Sequence, residues 1–194
     1  MKLILFDFDG TLTTKDSLNE FLKFFSGSKK YYINLFIFSP IFLLYKFKII
    51  NNQKAKEILC YLFFKNINKN HFEEVAKEYS LKNIDKILDN NIYNKMLNYK
   101  KEGYRVIIVS ASIECWLKPW CTKHNIELLS TKLEFKENKF TGKFKTKNCY
   151  GIEKVNRIKQ YITLEEYDEI IAYGDSEGDN EMFNISSRYF KIDR

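Results

Sequence analysis

Two short acidic stretches hold the side chains of this sequence best suited to chemistry. The first, Asp7-Phe8-Asp9-Gly10-Thr11-Leu12-Thr13, sets two carboxylates two residues apart, directly after an apolar run. Just beyond a strand end both can face one cleft in different surroundings. One can then act as nucleophile and metal ligand, the other as general acid and base. The second, Gly174-Asp175-Ser176-Glu177-Gly178-Asp179, also follows an apolar run and reads either as an acidic turn or as a metal site. Other reactive types are scarce. His71 and His124 are the only histidines, too few for a His-based metal site or a Ser-His-Asp triad. Cys60, Cys115, Cys121 and Cys149 form no CxxC pair and read as reduced, mostly buried thiols.

The elements that must position these carboxylates follow an alternation of strand-like and helix-like runs, as in a doubly wound α/β domain. Lys2 to Phe8, Tyr104 to Val109 and Glu169 to Tyr173 read as buried strands delivering Asp7, Ser110 and Asp175 to one sheet edge, the edge where open α/β sheets bind ligands. About ninety residues separate the first two strands, and they are expected to be helical. Ser17-Leu-Asn-Glu20 has the pattern of a capping box and Ser26-Gly27-Ser28 that of a stop, with further helices over about 52 to 65, 70 to 88 and 92 to 102. Residues 132 to 146, centred on Glu137-Asn138, read as a β-hairpin. The expected division is a core of residues 1–13 and 103–194 with a helical cap of residues 14–102, hinged near Thr13 to Asp16 and Lys101 to Gly103.

The Asp7 to Thr13 stretch resembles motif I of the haloacid dehalogenase-like (HAD) superfamily, and the remaining motifs follow in that superfamily's order across nearly the whole chain. Ser110 matches the motif II Ser/Thr, Lys154 in Gly151-Ile152-Glu153-Lys154 the motif III lysine, and Gly174 to Asp179 motif IV. The resemblance implies an α/β fold: a Rossmann-like three-layer core with a central parallel sheet and an inserted helical cap of the C1 type. It also implies a phosphatase, a phosphomonoester hydrolase acting through an aspartyl phosphate. In that scheme Asp7 attacks phosphorus, while Asp9 protonates the leaving oxygen and then deprotonates the hydrolytic water. Magnesium is expected between Asp7, the backbone carbonyl of Asp9 and Asp175, with Asp179 beside them orienting Lys154 or a metal-bound water. Lys154 and Ser110 would hold the phosphoryl oxygens, with Gly10, Thr11 and Ala111 also among the phosphate-binding residues. A mutase or phosphotransferase would use the same intermediate with an acceptor other than water.

The long insertion after motif I resembles the cap of the subfamily that includes phosphoserine phosphatase, and Asp16 lies near the position of that enzyme's substrate-binding glutamate. No arginine precedes Arg105, however, and Lys54 and Lys56 lack arginine's planar bidentate contact. The segment Ser110 to Trp120, with Thr141-Gly142 and Asn148 to Lys154, is more similar to a branch that includes bacterial phosphatidylglycerophosphate phosphatases. A phospholipid-type phosphomonoester is therefore the expected substrate, with phosphoserine or another small soluble phosphomonoester as the alternative.

Charge and composition set the remaining bounds. The chain of 194 residues is 45% hydrophobic with only 7 Gly and 2 Pro, enough for a core and unlike a disordered chain. Its net charge of +7 lies wholly in residues 21–56, which hold seven lysines and no acid; the 25 cationic and 25 acidic side chains elsewhere cancel. Within that segment Tyr31 to Tyr45 is apolar, interrupted by Pro40, and too short to span a bilayer. It reads either as cap core or as a surface where residues 29–48 meet an anionic membrane. A basic, aromatic-rich binder of nucleic acid or membrane is a remote alternative. With four arginines and no nucleic-acid motif, no nucleic-acid partner is expected. The apolar run before Asp7 is too short for a signal peptide, so the protein is expected in the cytoplasm, at most peripheral at the inner face of the membrane.

Overall fold

The computed structural model describes residues 1–193. Strand β1 (Lys2–Phe6) is buried from Leu3 onward, as a continuous apolar run must be when both faces of a sheet are covered. Its side chains alternate. Leu3 and Leu5 pack with Ile158, Met182 and Phe183 on one face, whereas Ile4 and Phe6 join Met96, Trp116 and Trp120 on the other. The elements after it are α1 (Ser17–Lys46), α2 (Asn52–Phe64), α3 (Lys69–Asn83), α4 (Asn90–Lys101), β2 (Arg105–Ile113), α5 (Glu114–Lys123) and β3 (Glu127–Thr131). The hairpin β4 (Leu133–Lys136) and β5 (Lys139–Phe144) precedes α6 (Ile152–Tyr161), β6 (Glu169–Gly174), α7 (Asn180–Asn184) and β7 (Arg188–Lys191).

Five strands form one parallel sheet in the order β3-β2-β1-β6-β7. Phe6 lies opposite Ile108 on one side and Tyr173 on the other, so the chain leaves β1 and β6 at the same edge. Asp7 extends this register by donating its backbone N–H to the Tyr173 carbonyl at 2.8 Å. With helices on both faces, this is the α/β architecture that the alternation of runs implies.

Several local expectations need correction. Ser17 is not the cap of α1: Asp16 is, accepting from the Asn19 N–H at 2.8 Å, because the groups of Ser17 are committed to the site described below. The expected stop at Ser26-Gly27-Ser28 is present as a break between two helical arms within α1. Gly27, at φ +73°, turns the chain and a second arm continues to Lys46. Pro40 does not interrupt that arm. The Phe36 carbonyl, which a residue 40 N–H would have met, accepts instead from the Ser39 hydroxyl at 2.8 Å. Strand β2 runs past Ser110 to Ile113, with an irregularity in its pairing to β3 after Ser110.

Helices α1 to α3 lie over the carboxyl edge of the sheet, and one hydrophobic cluster is continuous from Phe6 and Phe8 through Phe21, Phe64 and Phe72 to Trp116. Helix α4 packs against β2 and the turn after β1, whereas the hairpin packs on α2. Glu137 and Asn138, both at positive φ, form the tight turn expected there.

Candidate active site

The turn after β1 brings the motif I carboxylates to the sheet edge by one backbone excursion. Gly10 adopts φ +77°, and a Cβ there would lie 2.1 Å from an Asp175 carboxylate oxygen. Only glycine lets Asp175 sit against this turn, so the first and last acidic motifs meet across it. Thr11 is buried in the same turn.

Lys154, in the first turn of α6, is 2% exposed and reaches Asp7. Its ammonium donates to Asp7 Oδ1 at 2.5 Å and to Asp179 Oδ1 at 2.6 Å. Burial works against that charge, but the two carboxylates outweigh it and raise the Lys154 pKa. Burial pushes the Asp7 carboxyl up to about 7, against the pull of Lys154 and with repulsion from Asp179 and Asp9 added. The other Asp179 oxygen accepts from the backbone N–H groups of Asp175 and Ser176 and from the Ser176 hydroxyl, at 3.0–3.2 Å. Asp179 is thus the anchor that holds Lys154 and shapes the motif IV turn. A Cβ on Gly174 would lie 2.6 Å from its side chain.

Asp9 faces a different environment. One oxygen accepts from the Ser17 backbone N–H at 2.6 Å and the other from the Ser112 hydroxyl. Ser17 and Ser112 share a hydrogen bond of 3.1 Å, Trp116 Nε1 donates to the Ser17 hydroxyl at 3.3 Å, and Tyr79 donates to the Ser17 carbonyl at 3.2 Å. Burial, then the charge of Asp16, raises the Asp9 carboxyl to about 6 against these hydrogen bonds.

Ser110 is 1% exposed, and its hydroxyl oxygen accepts the Ser112 N–H at 3.0 Å, leaving the hydroxyl proton to be donated elsewhere. Ala111 follows, its carbonyl accepting from Thr131 at 3.2 Å and from the Lys56 ammonium at 3.4 Å. Asp16 lies apart from the Asp7 cluster, capping α1 and lining a cap cavity of about 470 Å³ with Lys56. Trp116 and Trp120 are fully buried in the hydrophobic cluster. Cys60 shows why the thiols are no rivals as nucleophiles, since burial pushes it up to about 12.

The structure therefore gathers Asp7, Lys154, Asp175 and Asp179 at one point, sets Asp9 and Ser110 beside them on the Ser112 network, and leaves Asp16 at the cap. Ligand oxygens of Asp7, Asp175 and Asp179 lie within 4.8 Å of one another. Four carboxylates against one ammonium make an oxygen-rich, negatively charged pocket, a donor set that fits a hard divalent cation. Sequence reasoning missed Ser112 and Ser17 as partners of Asp9. The one available signal was that Ser112 falls two residues after Ser110, on the same face of a strand if the strand continues.

Residues 4–184 match the family model of the haloacid dehalogenase-like hydrolases. The chain belongs to this family. It is 29% identical over 186 residues to Protein CicA of Caulobacter vibrioides, covering 95% of this chain and 82% of that one. Among solved structures, a protein of unknown function from Bordetella pertussis Tohama I matches with TM-score 0.84 at 19% identity, covering 98% of this chain and 89% of that one. A phosphoserine phosphohydrolase-like protein from Francisella tularensis matches with TM-score 0.70 at 22% identity, covering 98% and 87%.

Proposed function

We propose that this chain hydrolyses phosphomonoesters through an aspartyl phosphate on Asp7. The observation that carries this reading is the division of labour between two carboxylates two residues apart. Asp7 is clamped by the Lys154 ammonium, while the two Asp9 oxygens are held by the Ser17 N–H and the Ser112 hydroxyl and take no bond from that ammonium. An Asp7 oxygen attacks phosphorus as the bond to the leaving oxygen breaks, and Asp9 gives its proton to that oxygen. Asp9, now a carboxylate, then takes a proton from the incoming water. The water oxygen displaces Asp7 from phosphorus and frees inorganic phosphate. Lys154 keeps the attacking carboxylate in place and sets positive charge beside the phosphoryl oxygens, to which the Ser110 hydroxyl donates. A magnesium ion held by Asp7, Asp175 and the Asp9 carbonyl would offset the repulsion between carboxylate and phosphate.

The cap supports a phospholipid-type phosphomonoester as substrate. Its cavity runs between the second arm of α1 and α2, with Leu35, Phe38, Phe42 and Leu59 for walls and Lys56 and Asp16 as its only charged side chains. An acyl or glyceryl tail fits such walls, whereas a small zwitterion would leave them bare. In this reading the enzyme works in the cytoplasm, with residues 29–48 toward an anionic membrane.

The test is phosphate release by wild type and Asp7→Asn, with and without magnesium. The panel holds phosphoserine, sugar phosphates, nucleotides and phosphatidylglycerophosphate in mixed micelles. Turnover requiring both Asp7 and magnesium, highest on the lipid, is the expected result. Preference for phosphoserine would overturn the substrate class, and turnover by Asp7→Asn would overturn the mechanism.

A further inference from the structure

The second arm of α1 turns apolar side chains to both the protein and the solvent. Its inner side packs on the cap through Leu35, Phe38 and Tyr45, yet Tyr32, Ile33, Phe36, Ile37, Leu43 and Phe47 stand exposed, Phe36 at 82% and Phe47 at 74%. The polar residue near the middle, Ser39, spends its hydroxyl on the Phe36 carbonyl. A helix apolar around its circumference belongs in an interior or in lipid, and an exposed stripe of this kind marks an interaction surface. Lys29 and Lys30 stand at one end and Lys46 and Lys48 at the other, with Lys30 and Lys46 ~24 Å apart along the axis. No helix among the described residues is long and apolar enough to cross a membrane.

We infer that this arm lies flat in the interface of an anionic lipid bilayer, its outer stripe among the acyl chains and its terminal lysines on the headgroup phosphates. Charge decides against a second copy of the chain as occupant. A two-fold contact through this face would set lysine cluster against lysine cluster, and residues 21–56 contain no acid to relieve it. The cap cavity adjoins the docked face. Phe42 lines the cavity and is itself 44% exposed, so a lipid headgroup could pass from the bilayer past Phe42 toward Lys56 and Asp16. This last step rests on the phospholipid reading above; the docking itself does not.

The experiment is sedimentation of the full chain with equimolar phosphatidylcholine–phosphatidylglycerol vesicles and with phosphatidylcholine alone. Binding to the anionic vesicles is expected to be at least about tenfold tighter and to weaken with salt. The double variant Phe36→Ser, Phe47→Ser should lower it about tenfold or more. Replacing Lys29, Lys30, Lys46 and Lys48 by Gln should abolish the preference for anionic lipid. Both variants should hydrolyse p-nitrophenyl phosphate like wild type, which verifies that they fold. A chain that stays in the supernatant with every vesicle would overturn the docking surface, as would a dimer that the phenylalanine variant splits. Vesicle binding without lipid phosphomonoester turnover would uphold the docking and remove the substrate reading. Lipid turnover in micelles without vesicle binding would do the reverse.

Discussion

Asp9 is oriented by one group close in sequence and one far from it. The Ser112 hydroxyl and the Ser17 N–H hold its two oxygens, and Trp116 and Tyr79 hold Ser17. An acid catalyst matters most when the leaving oxygen is basic, and general acid catalysis contributes about 10²–10⁴-fold. Ser112→Ala is therefore expected to slow kcat on alkyl phosphates about tenfold while changing p-nitrophenyl phosphate turnover little. A uniform loss on both would mean that Ser112 is merely structural. Gly10 gives a sharper case, because its φ of +77° and the 2.1 Å approach to Asp175 oppose any side chain at once. Gly10→Ala should cost about 1–3 kcal/mol in denaturant unfolding and remove activity. The acidic motifs were legible because each is a local run beside a strand. The Ser112 link was not, since it depends on β2 continuing past Ser110 and on a cap helix that starts at Ser17.

Helix α1 shows how an element departs from its local signals. The spacing of Ser17 and Glu20 suggests a capping box, but Ser17 serves Asp9, and Asp16 takes over the cap one residue earlier. Gly27 and Pro40 both read as breaks, yet only Gly27 bends the chain, because Ser39 satisfies the carbonyl that Pro40 abandons. No heavy atom lies within 4 Å of a Cβ built on Gly27, so only backbone conformation opposes a side chain there. Gly27→Ala should destabilise by roughly 1–3 kcal/mol in chemical denaturation, a pure cost of a backbone conformation that only glycine adopts readily. An unchanged midpoint would contradict the bend. The central strands were legible as apolar runs, whereas β3 and β7 carry intermediate or exposed residues that weaken the same signal.

At the scale of the whole molecule, one hydrophobic cluster joins the sheet, α5 and the cap, so the acidic edge and its cover form a continuous packed unit. Into that unit the site places four carboxylates against one ammonium, a charge imbalance that a divalent cation relieves. Magnesium at a hundredfold excess over its dissociation constant should stabilise the fold by about 2.7 kcal/mol. Thermal unfolding should lose that gain on chelation and in Asp175→Asn; a magnesium-independent midpoint would contradict the metal site. The central claim is that phosphorus passes through Asp7. Its most direct test is to quench wild type during turnover, reduce with borohydride and map the peptides by mass spectrometry. An acyl phosphate on Asp7 should leave homoserine at position 7 and nowhere else. Homoserine at position 9, or steady turnover with no reduced residue, would contradict the covalent role assigned to Asp7.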